Sequence, residues 1–203
     1  VVDLREVVLA TTNRGKLNDF RALFVGSGIE LILPDDLGVT MDVEETGSTF
    51  AENALLKARA LAAATRRPTL ADDSGIVAYA LGNEPGIRSA RYAGPQCDDH
   101  ANNQKLIARL GSNEDRRAAF VCALALVIPN GPEIFAQGRC EGRIIDEERG
   151  SNGFGYDAVF YRDDLACTFG QAAAEEKHAR SHRGAAVRVL LEDLRRRGLA
   201  PRA

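Results

Sequence analysis

The sequence predicts an α/β protein whose helices flank a long mixed β-sheet. Near the start, the apolar run Val7-Val8-Leu9-Ala10 passes through a polar loop into Leu17, Phe20, Leu23 and Phe24, which recur at helical spacing. That is a strand–loop–helix unit. Residues 118–128, the longest apolar stretch, and residues 133–143 flank Asn130-Gly131-Pro132 and read as a long antiparallel hairpin. A hairpin beside a strand–loop–helix unit makes the sheet mixed instead of purely parallel.

The first helix stops at Gly26 and Gly28, and residues 29–33 form a second strand closed by Pro34 and the Asp35-Asp36 turn. Thr49-Phe50-Ala51-Glu52 has the form of a capping box, and Ala51, Ala54, Leu55, Ala58, Leu61 and Ala62 follow on one helical stripe. Asn53 and Lys57, four residues apart, share a neighbouring face and could reach a cleft together, though the motif alone slightly favours simple solvation. Residues 76–81 continue extended to the turn Gly82-Asn83-Glu84-Pro85-Gly86, and residues 89–94 are loop or a short helix. Asp98 caps a helix that runs to Leu110 and stops at Gly111. A strand at 158–161 follows a glycine-rich loop, and Val187, Leu190, Leu191 and Leu194 mark a last amphipathic helix. Arg195-Arg196-Arg197 closes it, where cations favour the helix dipole.

A chain of 203 residues holds one large domain or two small lobes. The net charge of −3 supplies no general attraction to nucleic acid or to an anionic membrane. Cys97, Cys122, Cys140 and Cys167 are widely spread and lack C-x-x-C pairing. That argues against a zinc site or a disulfide scaffold and fits free thiols in a reducing, cytoplasmic setting. No signal peptide or long apolar span is evident, so no membrane attachment is expected.

The chemistry centres on Leu70-Ala71-Asp72-Asp73-Ser74-Gly75. It reads as the end of a buried strand that begins after Pro68 and runs into two carboxylates, a hydroxyl and a glycine that permits a tight path. Adjacent strand residues point to opposite faces, so Asp72 and Asp73 are expected to differ in role. Acids beside open space suit Mg²⁺, which takes one or two carboxylates with waters and phosphates; solvated acids of a turn are the plain alternative. The loop Thr11-Thr12-Asn13-Arg14-Gly15-Lys16 reads either as a phosphate-gripping turn with Arg14 and Lys16 as cations or as an ordinary polar turn. It is not a Walker A loop, which needs glycine at Ala10 and Ser or Thr at Leu17. Gly153-Phe154-Gly155-Tyr156-Asp157 offers close backbone approach and an aromatic face for a base, or else a flexible turn with two core aromatics.

Taken together, these segments resemble the inosine triphosphatase family of non-canonical purine NTP pyrophosphatases. The matching residues are Asn13 with Lys16, Glu44-Glu45-Thr46-Gly47, Thr49-Phe50 with Glu52-Asn53-Ala54 and Lys57, and Ala71-Asp72-Asp73-Ser74-Gly75. Pro85-Gly86, Ser89-Ala90-Arg91-Tyr92, the 153–157 loop, Glu176-Lys177 and Ser181-His182-Arg183-Gly184 follow in family order over nearly the whole chain. Gly170-Gln171-Ala172-Ala173 departs from the family's usual Ala-Glu-Leu-Ser, and His178 replaces a small polar residue.

The resemblance implies a single domain over residues 1–203 with two lobes around a central cleft, a homodimer, and Mg²⁺-dependent hydrolysis of purine nucleoside triphosphates. ITP, dITP and XTP would be cut between the α and β phosphates, cleansing the nucleotide pool. Asp73 is the expected general base, sharing Mg²⁺ with Glu44, while Glu45 is the less certain ligand. Lys16, Lys57 and Lys177 are expected on the phosphates, assisted by Thr11, Thr12, Asn13, Arg14, Gly15 and Ser74. Phe154 stacks on the base beside Gly155 and Tyr156, and Asp157, His182 and Arg183 read its edge. Competing readings are a pyrimidine or 7-methylguanosine triphosphate pyrophosphatase, which the 154–157 and 181–183 segments oppose, and a nucleotide-binding regulator, which the carboxylates oppose.

Overall fold

Among the described residues, seven strands form one mixed sheet in the order β2-β1-β3-β4-β5-β6-β7. They are β1 (Glu6–Ala10), β2 (Glu30–Ile32), β3 (Thr69–Ala78), β4 (Arg117–Val127), β5 (Glu133–Ile144), β6 (Phe160–Arg162) and β7 (Cys167–Thr168). β1 pairs in parallel with β2 and β3, with Val8 opposite Ile32 and Thr69. β6 runs antiparallel to β5 and β7. Bonds from Ile128 N to the Pro132 carbonyl and from Ile144 N to the Arg116 carbonyl close the predicted hairpin. The helices are α1 (Arg14–Leu23), α2 (Phe50–Thr65), α3 (Asp99–Leu110), α4 (Ala174–Arg180) and α5 (His182–Arg196). This computed structural model describes residues 4–40 and 42–201. The domain expected over 1–203 also takes in residues 1–3, 41, 202 and 203, which lie outside the described residues. Among the described residues no helix is long and apolar enough to cross a membrane.

The chain divides into two compact units. The first comprises the described residues up to Asp73, Cys122–Gly138, and those from Arg183 onward; the second comprises Ser74–Val121 and Arg139–His182. In the first unit, the two-residue period of the strands sorts the core. Val7 and Leu9 of β1 and Leu70 of β3 join Phe20 and Phe24 of α1 and Val187, Leu190 and Leu194 of α5. Val8, Ala10 and Ala71 join Ala54, Ala58 and Leu61 of α2 instead. α1 and α5 therefore cover one face of the sheet and α2 the other. The alanines on α2 let its backbone approach the strands closely. The capping box starts that helix as predicted: Glu52 N donates to Thr49 Oγ1 over 3.1 Å, and Thr49 N donates to Glu52 Oε2 over 3.2 Å.

The second unit has its own core, in which Ile76, Tyr92, Leu106, Phe120, Tyr156, Phe160 and Phe169 are buried together. Phe120 stacks at 4.7 Å on the ring of His182 and meets Phe160 at 4.5 Å.

Four local expectations change. β3 does not end at the acids but continues to Ala78. Gly75 is needed there for room, not for a turn: a Cβ would come within 2.3 Å of Ser89 Oγ and 2.7 Å of the Gly86 carbonyl oxygen. The first helix starts at Arg14, earlier than the apolar spacing indicates, because the Asn13 side chain accepts from Lys16 N over 3.0 Å and caps it. The extended stretch predicted to Leu81 gives way to a 3₁₀ turn over Tyr79–Leu81. The strand expected at 158–161 is Phe160–Arg162, and α4, too short for a clear apolar period, has no counterpart in the sequence reading.

Candidate active site

Because Asp72 and Asp73 are consecutive on β3, the strand sends one carboxylate to each face. Asp72 shares the face of Leu70. There Lys16 of α1 pairs with its Oδ2 at 2.9 Å, and Arg183 of α5 stands 3.9 Å from the same oxygen. Arg183 also donates to Oδ2 of Asp19, on α1, over 2.9 Å. Asp73 shares the face of Ala71. There Asn53 of α2 donates to its Oδ2 over 3.0 Å, and Lys57, one turn further along α2, lies 3.9 Å from its Oδ1. Lys57 donates to Glu45 Oε1 over 2.6 Å.

These surroundings give the two acids opposite tendencies. Burial alone would raise the Asp72 carboxyl, but Lys16 and Arg183 outweigh it and hold the group at about 2. It is a fixed anion. Burial raises the Asp73 carboxyl above its ordinary value, only partly opposed by Lys57 and Lys16. Of the two acids it is the one that holds a proton more readily. Burial lowers the Lys57 ammonium, yet Asp72, Asp73 and Glu45 together raise it, so it stays charged.

Asn13 caps α1, and Arg14, Gly15 and Lys16 form its first turn, with Thr11 Oγ1 accepting from Asn13 N over 3.2 Å. Thr12, Asn13 and Arg14 are exposed at this helix start, where the helix dipole favours an anion. Glu44 is exposed, whereas Glu45 is half-buried and committed to Lys57. Ser74 is half-buried on β3, at the start of the second unit.

The second unit carries the glycine-rich loop. Phe154 is half-buried, with the ammonium of Lys177 5.1 Å from its ring centroid. Lys177 donates to Asp157 Oδ2 over 2.7 Å, and the same oxygen accepts from Phe154 N over 2.9 Å. Gly153 seals this arrangement, since a Cβ there would meet Asp157 Oδ2 at 2.0 Å. Gly155 N donates to Asp99 Oδ2 over 2.6 Å. Tyr156 is buried, and its hydroxyl donates to the Ser89 carbonyl oxygen over 2.8 Å.

The expected residues thus fall into two groups. Lys16, Asp72, Asp73, Lys57, Glu45 and Arg183 are gathered in the first unit, and Phe154, Asp157 and Lys177 in the second. His182 is held against Phe120, and Arg183 is bound among carboxylates in the first unit. Sequence reading missed Asp19 and Asn53 as direct partners of charged groups. Asn53 was visible as the i−4 neighbour of Lys57. Asp19 was visible only as a charge inside an apolar helix stripe, between Leu17 and Phe20.

For a hard cation the donor chemistry fits: Asp73 and Glu45, which both face Lys57, offer only oxygen atoms. No three His, Cys, Asp or Glu side chains among the described residues form a closed metal cage. A Mg²⁺ ion needs none, since phosphates and water complete its shell.

The sequence profile of the Ham1 family matches residues 7–193. A protein of Geobacillus kaustophilus (strain HTA426) named dITP/XTP pyrophosphatase is 47% identical over 191 residues, covering 93% of this chain and 94% of the relative. A protein of Staphylococcus aureus (strain MW2) with the same name is 45% identical over 190 residues, covering 92% and 95%. Among solved structures, the Staphylococcus aureus Ham1 protein superposes with a TM-score of 0.86 at 44% identity, covering 95% of this chain and 99% of that one. The nucleoside-triphosphatase, or dITP/XTP pyrophosphatase, of Mycobacterium abscessus gives 0.70 at 39% identity, covering 94% and 97%.

Proposed function

This chain belongs to the Ham1 family, and on that premise we propose that it is a nucleoside-triphosphate pyrophosphatase acting on dITP, XTP and ITP. Hydrolysis releases the nucleoside monophosphate and pyrophosphate and removes deaminated purines from the nucleotide pool. The observation that carries the reading is the unequal carboxylate pair: Asp72 locked as an anion by Lys16 and Arg183, and Asp73 poised beside Lys57 and Asn53.

Phosphoanhydride hydrolysis demands positioning and charge neutralisation more than covalent help. Asp73 accepts the proton of the attacking water. Its raised affinity for protons makes it a better base than an ordinary carboxylate, and Asn53 fixes its orientation. Lys57, Lys16 and the first turn of α1, from Asn13 to Lys16, take the phosphates. Asp73 and Glu44 would hold Mg²⁺, because Glu45 is occupied by Lys57. When bound, the ion neutralises phosphate charge.

Phe154 stacks on the purine. Lys177 and Asp157, which flank that ring, take its edge: Lys177 donates to the 6-oxo group and Asp157 accepts from N1–H. This reassigns Lys177 from the phosphates to the base. In this reading Arg183, expected at the edge, serves as a counter-charge to Asp72. Adenine reverses both partners and is refused. Incubation of the purified protein with dITP and Mg²⁺, with product identification, tests the activity. Pyrophosphate and dIMP are expected; stepwise orthophosphate release would refute it.

A further inference from the structure

The loop that carries Phe154 is gripped by α3. Asp98 caps that helix through Ala101 N at 2.7 Å, which leaves the next carboxylate, Asp99, for Gly155 N at 2.6 Å. One turn on, the buried amide of Asn103 donates to the Gly155 carbonyl oxygen over 3.2 Å. The other bond of that amide goes to Glu148 Oε1 at 2.6 Å, and Glu148 Oε2 holds His100 Nδ1 at 2.6 Å. Gly155 is thus fixed through both of its backbone groups. It has φ +61°, with nothing within 4 Å of a built Cβ, so the glycine serves the left-handed backbone and not a lack of space. On the other side, Asp157 takes Phe154 N. The ring lies between two clamped peptides.

We infer that Asp99 and Asn103 are positioning residues for purine binding, acting through Gly155 to hold the Phe154 ring at a fixed orientation. The inference rests on the proposed stacking of the base on Phe154. A preordered ring spares the substrate the ordering of a flexible loop, so the effect belongs in KM and not in kcat.

The test is a double-mutant cycle with dITP on Asp99→Ala and Phe154→Ala. Asp99 is exposed, so its truncation leaves the core intact; thermal melts check this. Loss of one charge-assisted hydrogen bond predicts a KM raised roughly 3- to 10-fold, with kcat within about 2-fold. Asp99→Asn, which keeps an acceptor, recovers most of the loss. Inhibition by inorganic triphosphate, which has no base, is unchanged in Asp99→Ala. In the Phe154→Ala background, Asp99→Ala adds less than about 2-fold, because no ring is left to place. An unchanged KM in Asp99→Ala, or an increase that persists in full without the ring, would overturn the inference while leaving base stacking intact. If Phe154→Ala itself leaves KM unchanged, stacking fails and the positioning role falls with it.

Discussion

Asp72 and Asp73 are consecutive on β3, yet their carboxylates meet different helices: Asp72 pairs with Lys16 of α1, and Asp73 with Asn53 of α2. The alternation of a strand turns two identical side chains into groups with opposite acid–base behaviour. One is surrounded by cations and stays charged. The other is buried with weaker compensation and binds protons more readily.

Asp73→Asn keeps the size and removes the proton acceptor. Activity on dITP should fall by about 10²–10⁴-fold with the fold unchanged, as stopped assays and circular dichroism will read. The acid limb of kcat/KM should lie above the ordinary carboxylate value of 3.8, because burial raises this group. Lys57→Met removes a cation that favours the anion, so the limb should move to higher pH. A limb that stays in place or moves down would detach it from Asp73.

Asp72→Asn leaves Arg183 and Lys16 short of a buried counter-charge. Denaturant unfolding should show a loss of about 3 kcal/mol. The sign of the pH effect follows from a folded value of about 2 against 3.8 unperturbed: the stabilisation is complete above 3.8 and is lost as pH falls through about 2. The variant should lack this part of the acid-induced loss.

Metal removal should abolish turnover without unfolding the protein, since no closed cage of ligands lies among the described residues. Added Mg²⁺ should restore turnover. Glu44→Gln should weaken Mg²⁺ binding measured calorimetrically with a non-hydrolysable triphosphate. Glu45→Gln should act mainly through Lys57. Full activity in chelator would remove the ion from the account.

The departure at Ala173 has a structural consequence. Ala173 is the N-cap of α4, with extended backbone and no side-chain capping bond. Ala173→Ser supplies an acceptor and should stabilise the protein by about 0.5–1 kcal/mol, with kcat unaffected. An unchanged or lowered melting temperature would show that the cap contributes nothing here.

Much of this was legible because it depends on short spacings. The capping box, the Asn53–Lys57 pair on one helix face and the opposed acids of β3 are all local patterns. Legibility stopped where partners come from distant segments. Nothing local in the sequence says that Arg183 would be claimed by Asp19, or that Lys177 would stand over Phe154. The continuation of β3 past the acids is hidden in the sequence for a similar reason. Gly75 resembles a turn residue until the Ser89 and Gly86 atoms packed against it are known. The anchoring of Gly155 by α3 likewise joins segments far apart in the chain.

The most direct test of the account is kcat/KM for dITP, XTP, GTP and ATP under one set of Mg²⁺ conditions, with the products identified. Lys177 and Asp157 match a 6-oxo group and an N1–H, and a site built on such bonds rejects a mismatched partner by about 10⁴–10⁵-fold. The prediction is dITP and XTP well ahead of ATP, with GTP also ahead of ATP because guanine carries the same 6-oxo group and N1–H, and pyrophosphate from each. Lys177→Met should narrow the dITP-to-ATP ratio by roughly 10-fold or more. ATP hydrolysed as well as dITP, or orthophosphate as the first product, would contradict the account.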